Sequence, residues 1–399
     1  MQIVVNTRLL LKDKLEGISW FTYQTLSRIT KNNPNVHFIF LFDRQFDPEF
    51  IFSDNVTPMI LSPQARHPFL YYAWFQFSVK SLLNKLKPDL FLSPDGFLCL
   101  GAKCKQLLVL HDINFYHHPK DLKWLTGKYY NYFFPKYARE ATRIATVSGY
   151  SKVDIAKHYN IDPNKIDVVY NGIHDFFKPA NEIKKQETKT KFTDGNDYFV
   201  NVGSLIPRKN IPNLIKAFAL FKKESKSNLK LVLVGSQYWG TAEIHKIILE
   251  NGLKSVSPIF YDFDKPENPN QLDSILKTAD VIFTGRLSNE DLNLVLGSAV
   301  GLTFVPYYEG FGIPLIEAME TQTPIIASNV TSLPEIAGDA ALYVNPLNIE
   351  EIKEAMLKLY NNKELQQSLI TKGNLQKQNF SWDKSADLLW QSCQKTVKT

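Results

Sequence analysis

The sequence of 399 residues predicts an α/β protein with two doubly wound parallel sheets. Apolar bursts of strand length alternate with helix-period stretches along almost the whole chain. A polar break near residue 180 divides that alternation into two series, and the length suits two or three domains rather than one. With 44% apolar and 22% charged residues, the composition is that of a globular protein and excludes wholesale disorder.

In the first series, strand-length bursts fall at residues 2–5, 36–42, 90–93, 107–110, 143–147 and 165–169. Helix-period stretches at 19–31 and 71–85 lie among them. Such alternation argues for βαβ units, because parallel neighbours need a crossover connection. Residues 179–196 hold few apolar side chains and read as a linker with one exposed helical turn. The second series places strands at 198–202, 229–234, 281–284, 302–305, 324–327 and 341–344. Its helices are expected at 211–223, 270–278, 313–321 and 349–360. Domains are therefore expected at 1–178 and 197–379, with ligands favoured in the cleft at the carboxyl ends of the strands.

Cys99, Cys104 and Cys393 have no metal-finger spacing and cannot build a disulfide framework, which suggests a reducing, cytoplasmic compartment. The opening MQIVVN reads as a buried strand, not as a signal peptide. The charge-free run 292–308 is interrupted by Gly297, Gly301 and Pro306 and falls short of a membrane span. The net charge is +6, and its location is informative. Residues 1–175 carry 21 Lys and Arg against 15 Asp and Glu, whereas residues 176–399 carry 25 of each. An excess confined to the first half suits an anionic membrane surface or an acidic substrate.

The most informative segment, residues 304–320, reads FVPYYEGFGIPLIEAME. A strand runs into a two-glycine loop and then a helix that carries Pro314 near its start, where its missing donor is harmless. The backbone N–H groups of Gly310, Phe311, Gly312 and Ile313 are placed to hold phosphate or sugar oxygens. Glu309 on the loop and Glu317 one turn into the helix offer carboxylates for sugar hydroxyls; a Gly turn with helix-dipole acids is the structural alternative. Residues 201–210, NVGSLIPRKN, repeat the strand, glycine and helix order, with Gly203 at the turn. The planar fork of Arg208 and the compact charge of Lys209 suit a diphosphate, although both could be exposed residues before a helix. Cations at a helix start oppose its dipole, and that local conflict favours function. No GxxxxGK[ST] is present, so this is not a P-loop.

A buried strand, residues 107–110, ends in His111 and Asp112, where a histidine would meet a sugar hydroxyl or carbonyl, although a lone histidine is more often structural. His117 and His118 follow, but their spacing matches no familiar metal set, and no metal site is expected. Gly17, in the loop after the first strand, would let a ligand approach the backbone.

Taken together these segments resemble the retaining glycosyltransferases of the GT-B fold, family 4, over nearly the whole chain. The match is most specific in EGFGIPLIEAM at 309–319, with its two glutamates eight apart, and in the VGSLIPRKN turn. Supporting matches are SLPEIAGDAA at 332–341, ATVSGYS at 145–151 and VVYNGI at 168–173. The resemblance implies two Rossmann-like domains facing across a cleft, with residues 380–399 returning as a helix to the first. It implies that Glu309 bonds the donor sugar's 3- and 4-hydroxyls, that Glu317 bonds the ribose, and that Arg208 and Lys209 neutralise the diphosphate. His111 would touch the sugar near O6, Gly17 would line the phosphates, and the loop at Arg286 and Leu287 would meet the base through its backbone. Two departures stand out: Ser204 follows the strand glycine where some members carry Arg, and the first loop offers only Gly17.

The implied reaction moves a hexose, with a lean to mannose from GDP-mannose, onto a glycan or lipid-linked glycan in polysaccharide synthesis. Stereochemistry would be retained, the leaving phosphate taking the acceptor's proton, and no cofactor or metal would be required. Asp262-Phe263-Asp264 is formally the metal signature of another glycosyltransferase fold, but its polar surroundings read as a solvated loop. The alternatives are a nucleotide-sugar epimerase of the same fold and a non-catalytic nucleotide-sugar-binding protein; nucleic acid is not an expected partner. Residues 66–80, aromatic-rich and flanked by Arg66 and Lys80, are either a helix packed on the first sheet or a surface for peripheral contact with anionic membrane.

Overall fold

The computed structural model describes residues 1–236, 241–256 and 276–399. Contacts divide it into two compact units, one formed by residues 1–172 with 380–399 and the other by residues 173–379. Each is a seven-stranded parallel sheet between helices. In the first unit the strands are β1 (Gln2–Asn6), β2 (His37–Phe42), β3 (Val56–Ile60), β4 (Leu90–Ser93), β5 (Gln106–Val109), β6 (Arg143–Thr146) and β7 (Ile166–Val168). Their order is β3-β2-β1-β4-β5-β6-β7, so the direction of winding reverses between β1 and β4. The second unit holds β8 (Tyr198–Val202), β9 (Lys230–Val234), β10 (Ser255–Val256), β11 (Val281–Gly285), β12 (Gly301–Phe304), β13 (Ile325–Ser328) and β14 (Ala341–Val344). Their order is β10-β11-β9-β8-β12-β13-β14, with the reversal between β8 and β12.

Central strands such as β8 and β9 are buried at every residue, which is why they read as continuous apolar runs instead of alternating ones. β3 escaped the sequence reading because Pro58 lies inside it. As an edge strand beside β2 it tolerates the missing donor. β10 is a two-residue edge strand, too short to leave a pattern. Trp74, Phe75, Phe91, Phe97 and Tyr137 anchor the first core, and Phe218, Phe221, Leu231, Phe283 and Met356 the second.

Residues 179–196, expected as a linker, contain a twelve-residue helix, Glu182–Thr193, within the second unit. Asn181 caps it by accepting from the Lys184 N–H, and only Thr188, Phe192 and Thr193 are buried. A helix this polar hides from a search for apolar periodicity. The helix expected at 270–278 falls largely outside the described residues, as does Asp262-Phe263-Asp264. The final helix, Trp382–Lys398, packs in the first unit. Ser381 caps it, Arg28 Nε meets Asp383 at 2.5 Å, and Ser392 Oγ donates to Asp167 at 2.7 Å. Among the described residues no helix is long and apolar enough to cross a membrane.

Candidate active site

In doubly wound sheets ligands bind beyond the carboxyl ends of the strands where the winding reverses. In the second unit that point lies between β8 and β12, and the two informative segments emerge from these two strands. At the end of β8, Gly203 has φ 144° and donates to the Val234 carbonyl at 2.9 Å. A Cβ on the neighbouring Gly235, φ 140°, would stand 2.2 Å from the Gly203 oxygen, so the two strand ends meet only because residue 235 lacks a side chain. The chain then makes one 3₁₀ turn, Pro207–Lys209, before the helix Ile211–Ser225. Arg208 and Lys209 therefore precede the helix and do not occupy its first turn, but both still stand beside the positive end of its dipole.

Asn210, left-handed at φ 61°, stops the turn. Its Nδ2 donates to the carbonyls of Val305 at 2.9 Å and Pro346 at 2.7 Å, which ties the turn to the ends of β12 and β14. The Tyr307 N–H donates to the Arg208 carbonyl at 2.8 Å. Sequence reasoning assigned Asn210 no role, although an Asn directly after two loop cations is a left-handed stop signal.

These constraints bring three charges together. Arg208 Nη1 lies 2.6 Å from Glu309 Oε1 and 3.0 Å from the Tyr308 carbonyl. Lys209 Nζ bonds the same Oε1, and sits 4.8 Å from the centre of the Phe304 ring. All three side chains are largely buried. Burial alone would raise the Glu309 carboxyl, but Arg208 and Lys209 outweigh it and hold the group below its ordinary range. The cations expected to await a diphosphate are thus already paired with the glutamate expected to await a sugar. Both converge on Oε1, and among the described residues no donor reaches Oε2. The triad has a net charge of +1.

The loop after Glu309 is held from β13. Ser332 Oγ donates to the carbonyls of Glu309 and Phe311, at 2.9 and 3.0 Å, and the Glu309 N–H reaches Thr331 Oγ1 at 3.3 Å. Gly312 caps the helix Ile313–Glu320 at φ 99°, where a Cβ would be 2.6 Å from Leu333. The loop through Gly310 and Phe311 thus enters the helix at Ile313, with Pro314 in its first turn.

Glu317 departs from the helix-dipole reading. It is 8% exposed, no donor among the described residues reaches its carboxyl, and burial pushes its pKa up to about 8. The group is neutral at pH 7 and can both donate and accept a hydrogen bond. Since its unfolded value is lower, the native state holds a proton that the unfolded chain has lost between about pH 4.5 and 8. Stability is therefore fullest below that window and falls as pH rises through it, by up to about 1.4 kcal/mol per pH unit. Melting curves of the wild type and Glu317→Gln across this range should diverge, with the variant the more stable at pH 8. Parallel curves would show that the carboxyl is not held neutral.

In the first unit, His111 follows β5. It is half-buried, its Nε2 lies 3.0 Å from the Pro94 carbonyl, and Phe21 meets its ring edge-on at 4.9 Å. Burial lowers its pKa, so the imidazole is neutral at pH 7. Gly17, φ +20°, opens the helix Gly17–Asn32, and a Cβ there would meet nothing within 4 Å. In the second unit Arg286 is exposed and Leu287 half-buried, just before Ser288 caps the helix Asn289–Gly297.

The structure also gathers His117, Asp154 and His158. Their nearest candidate ligand atoms lie within 4.8 Å of one another. His117 Nε2 is 3.0 Å from each Asp154 oxygen, and His158 Nδ1 is 3.0 Å from Oδ1. Two imidazoles and a carboxylate suit a zinc-like ion, and the same contacts also satisfy one another as hydrogen bonds.

A GT-B-like pair of doubly wound units, with a basic and acidic cluster at the winding reversal of the second, points to the glycosyltransferase class. Comparison with known proteins agrees. Residues 15–175 match the model for Glycosyltransferase Family 4 and residues 182–376 that for Glycosyl transferases group 1. The chain belongs to the glycosyltransferase family that these two models describe. It is 25% identical over 306 residues to O-antigen chain mannosyltransferase B of Escherichia coli, covering 75% of this chain and 73% of that protein. It is 28% identical over 266 residues to the O-antigen chain mannosyltransferase RfbU of Salmonella typhimurium, covering 64% of each chain. The fold is similar to that of Anabaena Alr3699/HepE, solved with UDP and glucose, at a TM-score of 0.70 and 16% identity over 99% of this chain and all of that one.

Proposed function

We propose that the chain transfers mannose from GDP-mannose, with retention at the anomeric carbon, to a glycan or lipid-linked glycan in polysaccharide synthesis. The observation that carries this reading is the Arg208–Glu309–Lys209 triad at the winding reversal, with Glu309 Oε2 accepting from no donor among the described residues. Breaking the donor's glycosidic C–O bond leaves positive character on the sugar and negative charge on the diphosphate. Arg208 and Lys209 stabilise the second, a preorganised contribution of several kcal/mol. Glu309 fixes the cations through Oε1 and accepts from sugar hydroxyls at Oε2, so one carboxylate couples sugar position to leaving-group charge. Glu317, as a neutral carboxyl, donates to a ribose oxygen and accepts from a hydroxyl. His111 is assigned the sugar's O6 and Gly17 the phosphates. Gly203, the amides from Gly310 to Ile313 and the Arg286–Leu287 loop complete the donor contacts.

With these cations supplying the charge, the leaving phosphate takes the acceptor's proton and transfer needs no metal ion. Activity should persist in excess EDTA. The lean to mannose rests on the named activities of the O-antigen relatives.

A thermal-shift panel of GDP, UDP and ADP with their sugars names the nucleotide. Ligand at a hundred times its Kd stabilises by about 2.7 kcal/mol. GDP and GDP-mannose should raise the midpoint most; a shift confined to UDP or ADP reassigns the donor. Incubation with donor alone separates the neighbouring activity, since an epimerase changes the sugar without an acceptor. The anomeric proton couplings of the product decide retention.

A further inference from the structure

Residues 66–80 do not choose between core and surface: they divide by face. The chain is helical over Pro68–Ala73, passes through a π-helical turn at Trp74–Val79, and continues over Lys80–Leu86. Trp74, Phe75, Gln76 and Val79 are buried against the first sheet, while Phe69 is 71% and Phe77 64% exposed. The helix Trp124–Glu140 packs beside this one, Tyr72 meeting Phe133 at 5.5 Å and Tyr71 meeting Tyr129 at 6.0 Å. It adds its own outward apolar side chains: Trp124 is 75% and Tyr132 59% exposed, with Leu125 beside them. Between the two helices runs a groove of about 560 Å³, lined by Phe69, Tyr72, Leu125, Tyr129, Tyr132 and Phe133, with Lys128 on its rim. Exposed large apolar side chains scattered singly need no explanation, but this many on one face do.

The charges around that face are predominantly basic. From Arg66 to Lys87 there are four cations and no acid; from Asp121 to Glu140 there are four cations, with one acid at each end of the segment. Arg66, Lys123 and Lys128 are exposed, and Lys136 Nζ sits 3.5 Å over the Tyr132 ring. A partner with an ordinary protein surface would be matched by mixed charge. A face of Trp, Tyr and Phe with Lys and Arg in excess around it instead complements the headgroup boundary of an anionic bilayer, where aromatic rings sit among the headgroups and lysines meet phosphates.

We infer that this face docks on an anionic lipid bilayer, with Phe69, Phe77, Trp124 and Leu125 entering the acyl boundary and the groove taking hydrocarbon. Arg66, Lys123, Lys128 and Lys136 hold the headgroups. The contact uses the first unit alone and is independent of the donor, so its test needs neither donor nor acceptor.

Flotation of the full chain with phosphatidylcholine vesicles, with and without phosphatidylglycerol, reads it directly. The wild type should float with the anionic vesicles at low salt, not with the neutral ones, and detach as salt rises. Lys123→Ala and Lys128→Ala should each lower the partition about fivefold. Phe69→Ser/Trp124→Ser should abolish it at an unchanged melting temperature, and Lys223→Ala, a lysine of the second unit, should leave it unchanged. Failure of the wild type to float with anionic vesicles overturns the inference. So does flotation insensitive to both groups of substitutions, or a wild-type dimer that Phe69→Ser/Trp124→Ser makes monomeric, which would give the face to a second copy of the chain.

Discussion

Replacing Lys209 by alanine should lower turnover by two decades or more while the fold survives. Its ammonium is one of two positive charges on Glu309 Oε1, so removal takes the triad from a net +1 to neutral. The diphosphate that leaves during transfer then meets no net positive charge from this cluster. Loss of one preorganised donor of this kind costs about 2.7–4 kcal/mol of transition-state stabilisation, or a factor of about 10²–10³. The fold is spared because Arg208 Nη1 still pairs with Glu309 and the Lys209 backbone keeps its bond to the Ile206 carbonyl. Initial rates with the donor named by the thermal-shift panel, beside a melting curve, check both halves. Turnover within a few-fold of wild type would remove Lys209 from the mechanism. Lys209→Arg should recover part of the loss, because charge returns without the compact geometry.

A second large effect is expected in the first unit, at Asp95. Here the winding reverses between β1 and β4, and the residues that follow these strands form a buried polar knot. Arg8 Nε lies 2.7 Å from Asp95 Oδ2, and Asn6 Nδ2 donates to Asp95 Oδ1 at 2.8 Å. Arg8 is 7% and Asp95 6% exposed, and the guanidinium lies 4.6 Å over the Phe97 ring, with Tyr71 and Phe75 nearby. Asp95→Ala would leave a guanidinium that cannot lose its proton buried against aromatic rings. Breaking one partner of such a pair costs about 3–5 kcal/mol. For a unit of this size that lowers the melting midpoint by roughly 10 °C. Calorimetry of Asp95→Ala and of Arg8→Met/Asp95→Ala decides the cause, since removing both charges should restore much of the loss. Equal losses in the two variants would mean that the charge pair is not what holds the knot.

Both predictions concern charges whose partners lie far away along the chain, and that marks the limit of sequence reading here. The parallel sheets were legible because a strand buried on both faces must be apolar throughout, as β8 and β9 are. The loop glycines were legible because positive φ disfavours side chains, as at Gly203 and Gly312. Less came through where local pattern and local structure disagree. Pro58 hid an edge strand, and the polarity of residues 182–193 hid a helix.

By itself the sequence determined the α/β class, the two strand series, and the residue types at the end of each functional strand. Only the tertiary structure decided that Arg208 and Lys209 share one oxygen of a glutamate a hundred residues away. It alone showed that Glu317 is buried with no donor to its carboxyl among the described residues, so that burial raises its pKa, and that the aromatic segment buries one face and exposes the other. The reason is physical. Strand and turn preferences act over neighbouring residues and leave a local record, whereas an ion pair or a desolvated carboxyl depends on which strand ends the sheet order makes adjacent. The strand order set by β8 and β12 places those groups together, and no spacing along the chain records it.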